Sequence, residues 1–177
     1  MKYIPKPQEG EFNPYTIMYI SLLPDDGQVL QHMQTHLQVI RDLIYPLPEE
    51  RLITPCAPGE WTIKEILAHI MDDERIYTYR ALRFARNDAT ELPGFDQDLF
   101  TQYAGANGRT LEDIFIEYAA VRQATLTFFN SLGDDALIRA GTANGHVMSV
   151  RAAAYHIAGH ELHHLNSIKQ NYLEMKN

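Results

Sequence analysis

The sequence predicts an all-α fold, a four-helix bundle, and three observations carry the prediction. Four long segments place apolar residues at three-and-four spacing, the period of one helical face. Clusters of Pro, Gly and Asn separate these segments. Alternation of the strand type is scarce between them.

The first thirteen residues read as an extended arm, and residues 1–20 together form an N-terminal arm ahead of the bundle. The first helix is expected from about Asp26 to Tyr45, with Val29, Leu30, Met33, Leu37, Ile40 and Ile44 on one face and Pro46 and Pro48 ending it. Thr62 and Glu65 make a capping-box pattern at the start of the second, which runs to about Asn87 with Ile63, Ile66, Ile70, Tyr77, Ala81 and Phe84 as its stripe. A long connection follows, from about Asp88 to Arg109. It can cross the bundle from end to end and let the second and third helices run parallel. The third helix starts at Thr110, with Glu112 and Asp113 where the helix dipole favours negative charge, and Gly133 closes it. Gly145-His146-Val147-Met148 reads as a short turn or extended segment. The fourth helix starts at Ser149 and continues to about Met175, with Val150, Ala154, Ile157, Leu165, Ile168 and Tyr172 on its face. With no repeat, low-complexity tract or linker, residues 1–177 read as one domain.

Bulk properties narrow the function. A formal charge of −8 argues against nucleic acid as the partner, because phosphate binding needs a basic surface. No apolar run reaches the ~18 residues of a membrane-spanning helix. Pro5, Pro7, Glu9 and Glu11 are unlike a signal peptide, so a cytoplasmic location is expected. The one cysteine, Cys56, sits between Pro55 and Pro58 in an expected loop and reads as passive.

The chemistry concentrates in Gly159-His160-Glu161-Leu162-His163-His164. His160-Glu161-x-x-His164 has the form of a zinc-protease helix, since histidines four apart can grip one ion from one face. A catalytic zinc usually takes a third protein ligand and leaves a position for water. The metzincin pattern would put Gly and His where this chain has Ser167 and Gln170. Glu174, on the same helix, is too far along it to share an ion with His160. The protease reading therefore fails, and the third ligand must come from upstream. His69, on the flank of the second helix's stripe with Asp73 one turn later, can meet His160 and His164 across a bundle. His32 and His36 are also four apart, and spacing alone does not reject them. By helical angle, His156 and His163 are expected to turn towards the bundle's edge. Glu161 turns inward, where it is expected to pair with Arg122 on the third helix; a general-base role is the other reading.

Three blocks carry a family resemblance: Trp61-Thr62-Ile63-Lys64-Glu65-Ile66-Leu67-Ala68-His69, Leu92-Pro93-Gly94-Phe95-Asp96-Gln97-Asp98, and Ala158-Gly159-His160-Glu161-Leu162-His163-His164. Together they resemble the DinB-like superfamily and, within it, the YfiT-like metal-dependent hydrolases, over about Gln28 to Tyr172. The resemblance implies up-down-down-up topology and one divalent metal, nickel or zinc, held by His69, His160 and His164. It gives no ligand role to the positions of His32 and His36. Asp73 falls near an acidic position that follows the first ligand, as a partner behind it or a catalytic base. It also implies a homodimer. A three-histidine site with an open position can activate water for hydrolysis of a small-molecule substrate, or bind a low-molecular-weight thiol for transfer to an electrophile. A metal-binding stress-response module without turnover is the third reading.

Overall fold

The computed structural model describes residues 1–173. Eight α-helices and one two-stranded hairpin are described: α1 (Ile17–Ile20), α2 (Val29–Ile44), α3 (Glu49–Ile53), α4 (Ile63–Ala85), α5 (Gln97–Tyr103), α6 (Leu111–Asn130), α7 (Asp134–Leu137), β1 (Ala140–Ala143), β2 (His146–Ser149) and α8 (Val150–Ile168). The bundle is α2, α4, α6 and α8, the four expected helices. Their starts follow local chemistry. The Thr62 hydroxyl accepts from the Glu65 amide at 3.2 Å, and the Glu65 carboxylate accepts from the Thr62 amide at 2.8 Å. Thr110 and Ser149 cap α6 and α8 in the same manner with a single bond each.

Helix directions follow from which ends meet. Tyr45 at the end of α2 packs on Phe115 at the start of α6, ring centroids 5.4 Å apart, so these two are antiparallel. The Thr62 hydroxyl donates to Asn107 just before α6 at 2.7 Å, and Thr78 meets Thr125 further along both, so α4 and α6 are parallel. Trp61, before α4, accepts from Tyr172, beyond α8, so α4 and α8 are antiparallel. The order is up-down-down-up.

The segments between the helices hold more structure than expected. The crossover from 88 to 109 contains α5, capped by the Asp96 side chain, and a 3-10 turn at Ala106–Gly108. Its Leu92 pairs with the hairpin, accepting from Asn144 at 2.9 Å and donating to Thr142 at 3.0 Å. The expected extended segment before the last helix is the turn and second strand of β1–β2, joined by Asn144 and Gly145 at φ 52° and 73°. That Asn-Gly pair is the hairpin signal, since both turn residues need positive φ. The arm is extended to residue 13, then turns helical through Pro14–Thr16 and α1. It is tied down by Tyr155, whose hydroxyl donates to the Ile4 carbonyl at 3.0 Å, and by the Glu11–Arg151 ion pair. After α8 the chain makes a π turn at Lys169–Leu173; the expected end at Met175, and Glu174, lie outside the described residues.

The core is in two parts. One apolar cluster holds Leu30, Met33, Phe84, Phe129 and Ala153; the other holds Ile40, Ile66, Phe115, Leu165 and Ile168. Between them every bundle helix contributes a polar group: His36, Asp73 and Glu74, Arg122, and His160 and Glu161.

Candidate metal centre

His69 on α4 and His160 and His164 on α8 bring their ring nitrogens together. The Nε2 atoms of His69 and His164 each lie 3.0 Å from Nε2 of His160, and all three lie within 4.8 Å of one another. Two imidazole nitrogens at ~2.1 Å from one ion stand about 3.0 Å apart at a right angle and about 3.4 Å apart at a tetrahedral angle. The two 3.0 Å separations fit one ion.

Protonation fits as well. Burial lowers all three imidazoles below the usual histidine range, His160 to about 3 and His164 to about 2; the Asp73 charge acts to raise each of them but does not offset burial. At neutral pH they are uncharged, as ligands must be. Asp73 Oδ2 stands 3.4 Å from Nδ1 of His160 and 3.2 Å from Nε2 of His156. Burial acts to raise the Asp73 carboxyl, but His160 and His156 outweigh it and hold it below the usual carboxylate range. At 3.4 Å the carboxylate faces Nδ1 of His160 without a hydrogen bond to it, and its charge favours the proton on that nitrogen, which leaves the Nε2 lone pair for the centre. With three lone-pair nitrogens converging, a cation satisfies the cluster better than imidazole-to-imidazole hydrogen bonds can.

The centre forms one wall of a cleft of about 430 Å³. Trp61 packs on His69 at 4.7 Å between centroids and stacks on His164 at 6.4 Å. Tyr19 of α1 sets its ring edge-on against His156, His160 and His163 at 5.2–5.4 Å. That approach needs Gly159: a Cβ there would sit 2.3 Å from the Tyr19 carbonyl oxygen. Tyr15, Tyr77, Phe95, Gln97 and Asn144 complete the walls.

Two expectations are corrected. His156 does not turn to the edge. It is buried beside Asp73 and stacks on Tyr77 at 3.6 Å. Residues four apart differ by only about 40° around a helix, so His156, His160 and His164 share one stripe. His163 is half-buried and also lines the cleft, because α1 covers a flank that the four long helices alone leave open.

Glu161 faces the other way, into the bundle. Its Oε1 accepts from Arg122 Nη2 at 2.7 Å and from the Tyr118 hydroxyl, and its Oε2 lies 3.2 Å from Nδ1 of His36. The Glu161–Arg122 pair is as expected. Its further partners were not foreseen: Glu74, which takes Nε and Nη2 of Arg122 at 2.8–3.2 Å, Tyr118 and His36. Glu74 was findable, as an acidic residue four after Ile70 within an apolar stripe. His32 pairs with Asp26 at 2.9 Å, away from the three-histidine cluster.

A four-helix bundle with three converging imidazoles at a cleft wall is the frame of a helical metalloprotein. The chain belongs to the DinB superfamily, whose family model matches residues 32–168. It is 24% identical over 150 residues to a provisionally named metal-dependent hydrolase of Oceanobacillus iheyensis, covering 83% of this chain and 85% of that protein. Its fold is similar to that of YfiT from Bacillus subtilis, described as a probable metal-dependent hydrolase with an unusual four-helix bundle topology. That match has a TM-score of 0.74 and 16% identity, over 96% of this chain and 93% of YfiT.

Proposed function

We propose that this protein is a metal-dependent hydrolase of small molecules, with one divalent ion, nickel or zinc, held by His69, His160 and His164. The observation that carries the reading is the convergence of three neutral imidazoles on the wall of a cleft. The names of its relatives support the reaction class. When bound, such an ion supplies Lewis acidity, activating water and polarising a carbonyl oxygen. The chain's own residues supply the rest. The Asp73 carboxylate, 3.4 Å away, favours the proton on Nδ1 of His160. Trp61 and Tyr19 fix the imidazole planes, and Tyr77 and Phe95 offer apolar walls to the body of a substrate. Glu161 is assigned to the bundle interior rather than to proton transfer, since Arg122 and Tyr118 occupy its carboxylate and it does not line the cleft.

The test loads the protein with nickel or zinc and measures metal per chain, then turnover on ester and amide panels with and without an added thiol. One ion per chain, its loss in His160→Ala, and cleavage that needs metal but no thiol are expected. Unchanged stoichiometry in His160→Ala overturns the ligand set. Conjugation of a thiol to an electrophile, without cleavage, replaces the hydrolase with a thiol transferase. Silence in all panels removes the enzyme reading.

A further inference from the structure

Two bundle arginines are almost wholly buried, Arg122 at 2% exposure and Arg80 at 5%. Two carboxylates, from Glu74 and Glu161, neutralise Arg122. Arg80 pairs with no carboxylate among the described residues. Its Nη2 donates to the Pro93 carbonyl at 3.0 Å, and the group lies 4.9 Å from the Tyr77 ring centre and 5.9 Å from that of Phe95. One bond leaves most of a five-donor fork unused, and a buried cation without a counter-ion is costly.

Arg80 lines a recess of about 100 Å³, together with residues Asn13, Asn144 and His146. Asn144 is set there by the hairpin turn and by Gly94, where a Cβ would lie 2.5 Å from the Asn144 Oδ1. Thr16, Tyr77, Phe95 and Asn144 line both this recess and the histidine cleft, which makes the two compartments neighbours in one space. Arg80 comes eleven residues after His69 on α4. It is therefore about 20° from His69 around the helix and ~16 Å further along. Helical side chains lean back towards the N-terminus, which for Arg80 is towards the histidines.

We infer that the recess is a carboxylate-binding subsite of the substrate cleft, with the Arg80 fork holding the acid end of the substrate. The substrate class is a small carboxylic acid with an apolar middle segment, which Tyr77 and Phe95 flank, and its reacting bond at the far end beside the three histidines. A planar guanidinium matches a carboxylate through two parallel N–H bonds. One arginine with amide neighbours, in so small a space, suits a monoanion better than a phosphate dianion. The position of the reacting bond rests on the hydrolase reading; the subsite itself does not.

The test uses full-length protein and titration calorimetry with 4-phenylbutanoate and its uncharged amide, on wild type, Arg80→Met, Arg80→Lys and chelator-stripped wild type. The acid is expected to bind wild type at least tenfold more tightly than the amide. Arg80→Met loses that preference, Arg80→Lys keeps part of it, and metal-stripped protein keeps all of it. The acid should raise the melting temperature of wild type and not of Arg80→Met, with circular dichroism confirming that both variants fold. Equal binding of acid and amide by wild type, no binding of the acid, or a preference that survives in Arg80→Met overturns the subsite. A preference lost only on metal stripping places the anion at the histidines, which also overturns it while leaving the metal assignment standing. Inorganic phosphate that displaces the acid at concentrations below the acid's own Kd overturns the carboxylate assignment.

Discussion

Replacing Arg122 by Met is expected to be the most damaging single change in the interior at a residue that does not itself line the cleft. The Arg122 guanidinium donates to Glu74 from Nε and Nη2 at 2.8–3.2 Å, to Glu161 at 2.7 Å and to the Met33 carbonyl. Both glutamates are essentially without solvent contact. Methionine fills most of the volume, so the cavity contribution is small and the electrostatic one decides. Glu161 would keep the Tyr118 hydroxyl and the nearby His36. Glu74 has no other hydrogen-bond partner among the described residues, and must stay charged and unpaired or take up a proton. Protonating an ordinary glutamate at pH 7 costs about 4 kcal/mol. Breaking a buried ion pair by removing one partner costs about 3–5 kcal/mol, which agrees. Against a total stability of about 5–15 kcal/mol, a loss of about 4 leaves a folded but weakened protein.

Urea unfolding followed by circular dichroism reads this directly, with an unchanged slope expected, because the folded state stays as compact. Adding Glu74→Gln to Arg122→Met should recover about half the loss or more, since the stranded charge is gone. A loss below about 1 kcal/mol, or no recovery in the double variant, would refute the claim that the charge of Glu74 is what Arg122 holds in place.

Three further outcomes are expected. Asp73→Asn removes the carboxylate facing Nδ1 of His160 and should weaken metal binding by about 10–100-fold, read by competition with a chromophoric chelator; unchanged affinity would exclude Asp73 as a positioning residue. Gly159→Ala drives a methyl group into the Tyr19 backbone, so α1 must shift; a loss of about 1–3 kcal/mol and faster proteolysis of the first twenty residues are expected, whereas a neutral result would mean that α1 does not sit on the histidine wall. Burial acts to raise the Glu11 carboxyl, but its bonds to Arg151 and Ser149 outweigh that and its folded pKa falls below the ordinary 4.5. Its contribution is therefore present above 4.5 and lost as pH drops through the lowered folded value. The difference in urea midpoint between wild type and Glu11→Gln should be present at pH 6 and shrink towards pH 3.

The parts legible in the sequence are those with local causes. Helix α4 announced itself through Thr62 and Glu65, which satisfy backbone amides within one turn, and through a stripe that needs no knowledge of its partner. His160 and His164 were legible because four-residue spacing places two rings on one face whatever lies opposite. His69 was less so: periodicity put it on a flank, and the choice over His32 and His36 came from family resemblance. What stayed hidden depends on neighbours distant in sequence. The burial of His156 is decided partly by Tyr19, more than a hundred residues away, and Arg80 lies beside the hairpin that places Asn144. Helical angle alone could have corrected His156, because its stripe is that of His160 and His164.

The adjacency of His160 and Glu161 explains why a protease-like motif serves a different design here. Consecutive residues on a helix diverge by ~100°, so one side chain can face the cleft while the next faces the bundle axis. In this protein the glutamate is consumed by the interior: it meets Arg122, which is itself anchored to Glu74 on α4 and to the Met33 carbonyl on α2. All four bundle helices are thereby tied at the level where the histidines emerge, between the two apolar clusters. An apolar layer there could slide or rotate by small amounts at little cost, whereas hydrogen bonds fixed in length and direction cannot. The same layer that carries a destabilising set of buried charges therefore sets the register of α8 against α4, and with it the 3.0 Å spacing between the Nε2 atoms of His69 and His160. On this argument Glu161→Gln should loosen metal binding by disturbing the register while leaving all three imidazoles in the chain. Stability and metal affinity should fall together in that variant. A loss of turnover with both intact would instead return Glu161 to proton transfer.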